Sequence, residues 1–130
     1  MSHWTWSDQL ALNHPTMDAT HQEFVTLCSA LAEPNPKTYI ARLDQLIEHT
    51  ISHFKMENQW MLECDFPPKG CHIGEHDSVL EVMQEARKQI LAGNLDLGQR
   101  LAEELPKWFV QHVATMDTML ADYLLNTQAV

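Results

Sequence analysis

Positive charge is scarce: eight Lys and Arg stand against eighteen Asp and Glu, a formal net charge of −10 over 130 residues. Nucleic acid and anionic membrane surfaces both need a basic face, so neither is expected as a partner. No apolar run approaches the roughly 20 residues that cross a bilayer, which predicts no membrane insertion. Residues Met1 to Asp8 lack the basic and apolar stretches of a secretion signal, and a cytoplasmic location is expected. Cysteine is sparse and odd in number, at Cys28, Cys64 and Cys71. That predicts free thiols, including Cys64 and Cys71 on either side of a short turn. Glycine (4) and proline (6) are few, so breakers interrupt the chain at only a handful of places. No segment alternates as a half-buried strand does. What remains is 45% apolar and 20% charged, a globular composition expected to form one domain over residues 1–130.

The breakers cluster at His14-Pro15, at Glu33-Pro34-Asn35-Pro36, between Asp65 and Gly70, and at Gly93-Asn94. Between them the helical period predicts helices at about 18–32, 37–64, 72–92 and 96–125. Their apolar stripes run through Phe24, Val25, Cys28 and Leu31; then Ile40, Leu43, Leu46, Ile47, Thr50, Phe54, Trp60 and Met61; then Val79, Leu80, Met83, Ala86 and Ile90. The last passes through Leu97, Leu101, Leu105, Trp108, Phe109, Met116, Met119 and Tyr123. Short connections make consecutive helices antiparallel, so the expected fold is all-α, an up-down-up-down four-helix bundle. Residues 1–15 carry no period and form an irregular N-terminal arm, with Trp4 and Trp6 packing across one end of the bundle. Thr16 or Asp18 is expected to cap the first helix and Asn94 or Asp96 the fourth. Pro106 predicts a kink or break near Glu104-Leu105.

What the chain has in excess is histidine, eight in all. His53 and Glu57 lie four apart, as do His72 and His76, and that spacing puts both members of each pair on one helix face. In each case it is the apolar face. His21 precedes Phe24 by one turn, and His112 follows Trp108 by one turn. A single histidine on an apolar face is usually a hydrogen-bonded core residue. Five in one core, with Glu57 and Asp117, carry a desolvation cost they cannot offset among themselves. Coordination of metal by neutral imidazoles and carboxylates offsets it. Seven ligands are too many for one tetrahedral zinc and suit two octahedral ions. His3, His14 and His49 fall outside the pattern, and His49 is expected at the surface.

The ordered set His21, His53-x3-Glu57, His72-x3-His76 and His112-x4-Asp117 resembles the hemerythrin family in its single-domain bacterial form. The flanking Met17-Asp18-Ala19-Thr20-His21, His53-Phe54-x2-Glu57-x3-Met61 and Trp108-x3-His112 resemble its helix motifs as well. The likeness covers nearly the whole chain. It implies two non-haem iron ions joined by an oxo or hydroxo bridge. His72, His76 and His112 would hold one ion and His21 and His53 the other, with Glu57 and Asp117 bridging both. Phe54, Trp108, Phe109 and Val113 fall where the family lines its O2 pocket. Five residues from His112 to Asp117 turn about 140° on an α-helix, so the spacing predicts a π-type widening near Thr115. Asn58 departs from the acid many relatives carry there, and its side chain is expected to face away from the metals.

The function implied is reversible O2 binding, for storage or delivery to an oxidase or oxygenase, by a monomer that is not an enzyme. Two alternatives are a module that senses or scavenges O2, nitric oxide or iron, and a diiron enzyme. Oxidases of the ferritin type use carboxylate-rich sites with Glu-x-x-His pairs, and this sequence has no such pair.

Overall fold

The computed structural model describes residues 4–33 and 35–128. A single 3-10 turn at Asp8–Leu10 precedes four long helices: α1 Pro15–Ala30, α2 Pro36–Glu63, α3 Lys69–Leu91 and α4 Asp96–His112. A π-helical turn, Val113–Asp117, joins α4 to α5, Thr118–Gln128, so the fourth bundle member is α4, the π turn and α5 in line. Helix α1 packs on α2, α2 on α3, α3 on α4, and α4 back on α1. This is the up-down-up-down bundle expected from the short connections.

Local chemistry explains the helix ends. Pro15 opens α1, and Pro36 opens α2. Proline suits the first helical position because its missing donor would have no partner there. The cap of α1 is His14, whose Nδ1 accepts from the Met17 amide at 3.2 Å, in place of the expected Thr16 or Asp18. Asp18 Oδ1 instead accepts from the Leu12 amide at 2.8 Å and ties the arm to the helix. Asn35 Oδ1 accepts from the Lys37 amide at 3.2 Å. Helix α3 begins at Lys69, three residues before the expected start, directly after the turn in which Asp65 takes φ 51°. It ends at Leu91, and Gly93, just beyond the Ala92 cap, takes φ 111°. There the Gly93 amide bonds Ile90 O and the Asn94 amide bonds Gln89 O, both at 3.0 Å. The pair of bonds satisfies two orphan carbonyls. Helix α4 starts without a side-chain cap, so neither Asn94 nor Asp96 serves as one. The helix runs unbroken through Pro106, and the break expected at Glu104-Leu105 is absent.

The π turn has a consequence downstream. It inserts one residue into the helix, so the inward face shifts by one position. Asp117, Leu120, Ala121 and Leu124 are buried, whereas Met116 and Tyr123 are only half-buried and Met119 is 56% exposed. The stripe expected through Met116, Met119 and Tyr123 is corrected accordingly.

The core divides in two. The larger apolar cluster includes Phe24, Leu43, Leu46, Phe54, Met83, Leu105 and Phe109. The smaller one contains Met17, Met61, Phe66, Leu120, Ala121 and Leu124. His21 lies between Met17 and Phe24 in sequence, Glu57 between Phe54 and Met61, and Asp117 between Val113 and Leu120, so these buried polar residues mark the boundary between the two clusters. The arm also departs from expectation. Trp4 packs edge-on against Phe109 and Phe24, at 5.6 and 6.4 Å. It therefore covers the middle of α1 beside α4 rather than an end of the bundle. His3 lies outside the described residues.

Candidate metal centre

Seven polar side chains from all four bundle members meet in the interior: His21, His53, Glu57, His72, His76, His112 and Asp117, none more than 3% exposed. They form two groups that share the carboxylates. Asp117 Oδ1 stands 3.0 Å from His72 Nε2 and 3.1 Å from His112 Nε2, and Glu57 Oε1 stands 3.4 Å from His76 Nε2. On the other side Glu57 Oε2 stands 2.5 Å from His53 Nε2 and 3.4 Å from His21 Nε2, and Asp117 Oδ2 stands 3.2 Å from His21 Nε2. Each carboxylate thus turns one oxygen to the three histidines from α3 and α4, and the other to the histidines from α1 and α2.

The donor atoms within each group fit a metal ion. Glu57, His72, His76, His112 and Asp117 each offer one ligand atom, all within 4.8 Å of one another, as do His21, His53 and Glu57. The inward-facing His21 Nε2, His76 Nε2, Glu57 Oε1 and both Asp117 oxygens make no hydrogen bond. A buried polar atom left unsatisfied costs about 1–3 kcal/mol. Cations seated between these lone pairs would satisfy all five at once.

Electrostatics reflect the crowding. Burial works against charged His21, but the Asp117 and Glu57 carboxylates together overcome it and raise its pKa to about 9. His112 is raised in the same way by Asp117 and Glu75 against the pull of burial. Burial wins at His76, with His72 and His112 adding to it against Glu57, and its pKa is lowered. Burial opposes ionisation of both carboxylates, yet the facing histidines hold Glu57 and Asp117 well below the usual carboxylate range.

Aromatic rings wall the cluster. Phe54 stacks on His76 at 3.8 Å and 6°, Trp108 stacks on His112 at 4.7 Å and 22°, and Phe109 meets His21 edge-on at 5.2 Å. Phe54, Phe109 and Val113 are buried, while Trp108 keeps part of its indole at the surface.

Three polar contacts are invisible in the helical pattern. Glu75 Oε1 accepts from His112 Nδ1 at 2.8 Å and from Trp108 Nε1 at 3.0 Å. Asn58 Oδ1 lies 2.8 Å from His76 Nδ1. Asn58 meets His76 on the nitrogen turned away from the cluster, in keeping with the expectation that it faces away from the metals, but it still holds a site histidine by that far nitrogen. His49 is half-buried, with Nε2 at 3.1 Å from Thr20 O, where a surface position was expected. The three cysteines are free, and burial pushes the Cys28 thiol up to about 12.

Residues 13–124 match the hemerythrin HHE cation binding domain. The chain is 44% identical over 119 residues to a bacteriohemerythrin of Ralstonia nicotianae, covering 92% of this chain and 87% of that one. A bacteriohemerythrin of Pseudomonas paraeruginosa is 25% identical over 133 residues, covering 99% and 86%. The crystal structure of a wild-type hemerythrin superposes with a TM-score of 0.87 over 95% of this chain and 98% of the other. At 23% identity that likeness speaks for the fold. By sequence, by fold and by a buried cluster of histidine and carboxylate, this chain belongs to the hemerythrin family.

Proposed function

We propose that this protein is a non-haem diiron protein that binds O2 reversibly, for storage or for delivery to an oxidase or oxygenase. The observation that carries the reading is the split of Glu57 and Asp117, each with one oxygen toward either histidine group. Two shared carboxylates between two imidazole groups are what a bridged metal pair requires. In this reading His72, His76 and His112 would hold one iron, His21 and His53 the other, and Glu57 and Asp117 would be shared by both beside an oxo or hydroxo group. The side with two histidines has one protein ligand fewer, which in this reading would leave one coordination position for a small molecule. When bound, the two ferrous ions supply the two electrons that reversible O2 binding lends and recovers.

The chain's own residues orient and exclude. Once they coordinate metal the imidazoles would be neutral donors, which disfavour the high-valent iron of carboxylate-rich oxidases and favour binding over turnover. Phe54, Trp108, Phe109 and Val113 replace water with apolar surface around the histidines, and that slows the entry of anions and water. Anaerobic titration of the metal-free protein with Fe(II) tests the assignment. Two equivalents per chain are expected, and Glu57→Ala, which removes a ligand shared by both groups, should bind fewer than two. A wild-type endpoint at one equivalent or none contradicts the reading.

A further inference from the structure

Glu75, like Asn58, is a residue at the centre that no helical stripe predicts. It directly precedes His76 on α3, rotated about 100° from it, and its side chain is 30% exposed. One oxygen, Oε1, accepts two hydrogen bonds from α4: His112 Nδ1 at 2.8 Å and Trp108 Nε1 at 3.0 Å. The two donors are themselves stacked, His112 against Trp108 at 4.7 Å and 22°. The stack restrains the face of the imidazole, and Glu75 restrains its edge. A carboxylate on Nδ1 also fixes the proton there and leaves Nε2 facing Asp117 and His72.

We propose that Glu75 is a positioning residue that locks His112 and Trp108 together as one unit beside the metal centre. The proposal rests on the reading of His112 as a ligand only for its effect on metal affinity. Its effect on the ring is a property of the metal-free chain. Without Glu75 the imidazole is free to rotate or to carry its proton on the inward nitrogen. The indole then loses the partner of its N–H at a half-buried position.

Nitrogen-15 spectra of the imidazoles in the metal-free protein, with a Co(II) titration of the same samples, test this. Wild type should show a His112 Nδ1 proton protected from exchange. Glu75→Ala should lose that protection and bind Co(II) about 10–100-fold more weakly. Glu75→Gln, which keeps an acceptor in place but not the charge, should fall between the two, and it substitutes for the alanine variant should that chain fail to fold. A bare His112 Nδ1 in wild type overturns the proposal. So does Glu75→Ala protein with unchanged protection and unchanged Co(II) affinity. Wild type that binds no Co(II) counts against the metal centre, and the Nδ1 proton alone then decides for or against Glu75.

Discussion

His112 Nε2 and Asp117 Oδ1 stand 3.1 Å apart although the two residues lie five positions apart along the helix. An α-helix would turn them about 140° away from each other. The π turn at Val113–Asp117 removes that angle, and the hydroxyl of Thr118, the first residue of α5, spans the turn to bond Val113 O at 2.7 Å. Deleting Ala114, which is exposed, gives a spacing of four and an ordinary helix, and Asp117 should still face the site. Inserting an alanine after Ala114 should swing Asp117, Leu120 and Leu124 by about 100°. Thermal unfolding should show the deletion tolerated and the insertion destabilised by several kcal/mol, roughly 1.5–3 for each leucine turned outward.

The metal-free protein should be far less stable than the loaded one. Among the described residues eight buried side-chain nitrogens and oxygens have no hydrogen-bond partner, all of them on six of the seven cluster residues. Binding of ions to the folded chain alone stabilises it by mass action. Calorimetry with saturating metal against chelator should separate the two midpoints by more than about 10 °C. Coincident midpoints would contradict the placement of the lone pairs around ions.

Stability of the metal-free form should peak near pH 6.5. His21 is raised to about 9, and His112 is raised as well. Their contribution is complete below about 6.5, the unfolded value, and is lost as pH climbs through the folded value. His76 and His49 are lowered, chiefly by burial, so theirs is present above about 6.5 and fades as pH falls. Below about 4 the depressed Glu57 and Asp117 lose theirs too. Metal uptake must displace the protons on His21 and His112, so loading should release protons and strengthen as pH rises. Urea denaturation across pH 4–9 and a proton-release titration check both signs.

Much of the centre was legible because helical period and ligand type act within one chain segment. His53 with Glu57 and His72 with His76 needed only a spacing of four, and the five-residue step to Asp117 announced the π turn. The residues beyond it were misplaced because the inserted residue also moves everything downstream, which turned Met119 outward and Leu120 inward. Glu75, Asn58 and His49 were not legible. Each acts across an interface between helices, and the facing of two helices is not written in the period of either. Trp4 shows the same limit, since an arm without period gives no sign of the surface it covers.

Trp108 is the ring of the wall that reaches the surface. Trp108→Ala removes the stack on His112 and opens a route for water and anions. Loaded ferrous protein of this variant should oxidise in air at least several-fold faster than wild type, followed by visible absorption. Phe54→Ala should do the same at His76, where the stacking is closest. An unchanged rate in both would assign these rings to packing alone.

Reversible O2 uptake by the loaded protein tests the central claim most directly. Protein reduced anaerobically with two Fe(II) per chain should develop a visible absorption band on exposure to O2, lose it under vacuum, and regain it through repeated cycles. Immediate and permanent conversion to the oxidised form, with no band that vacuum removes, would contradict the account.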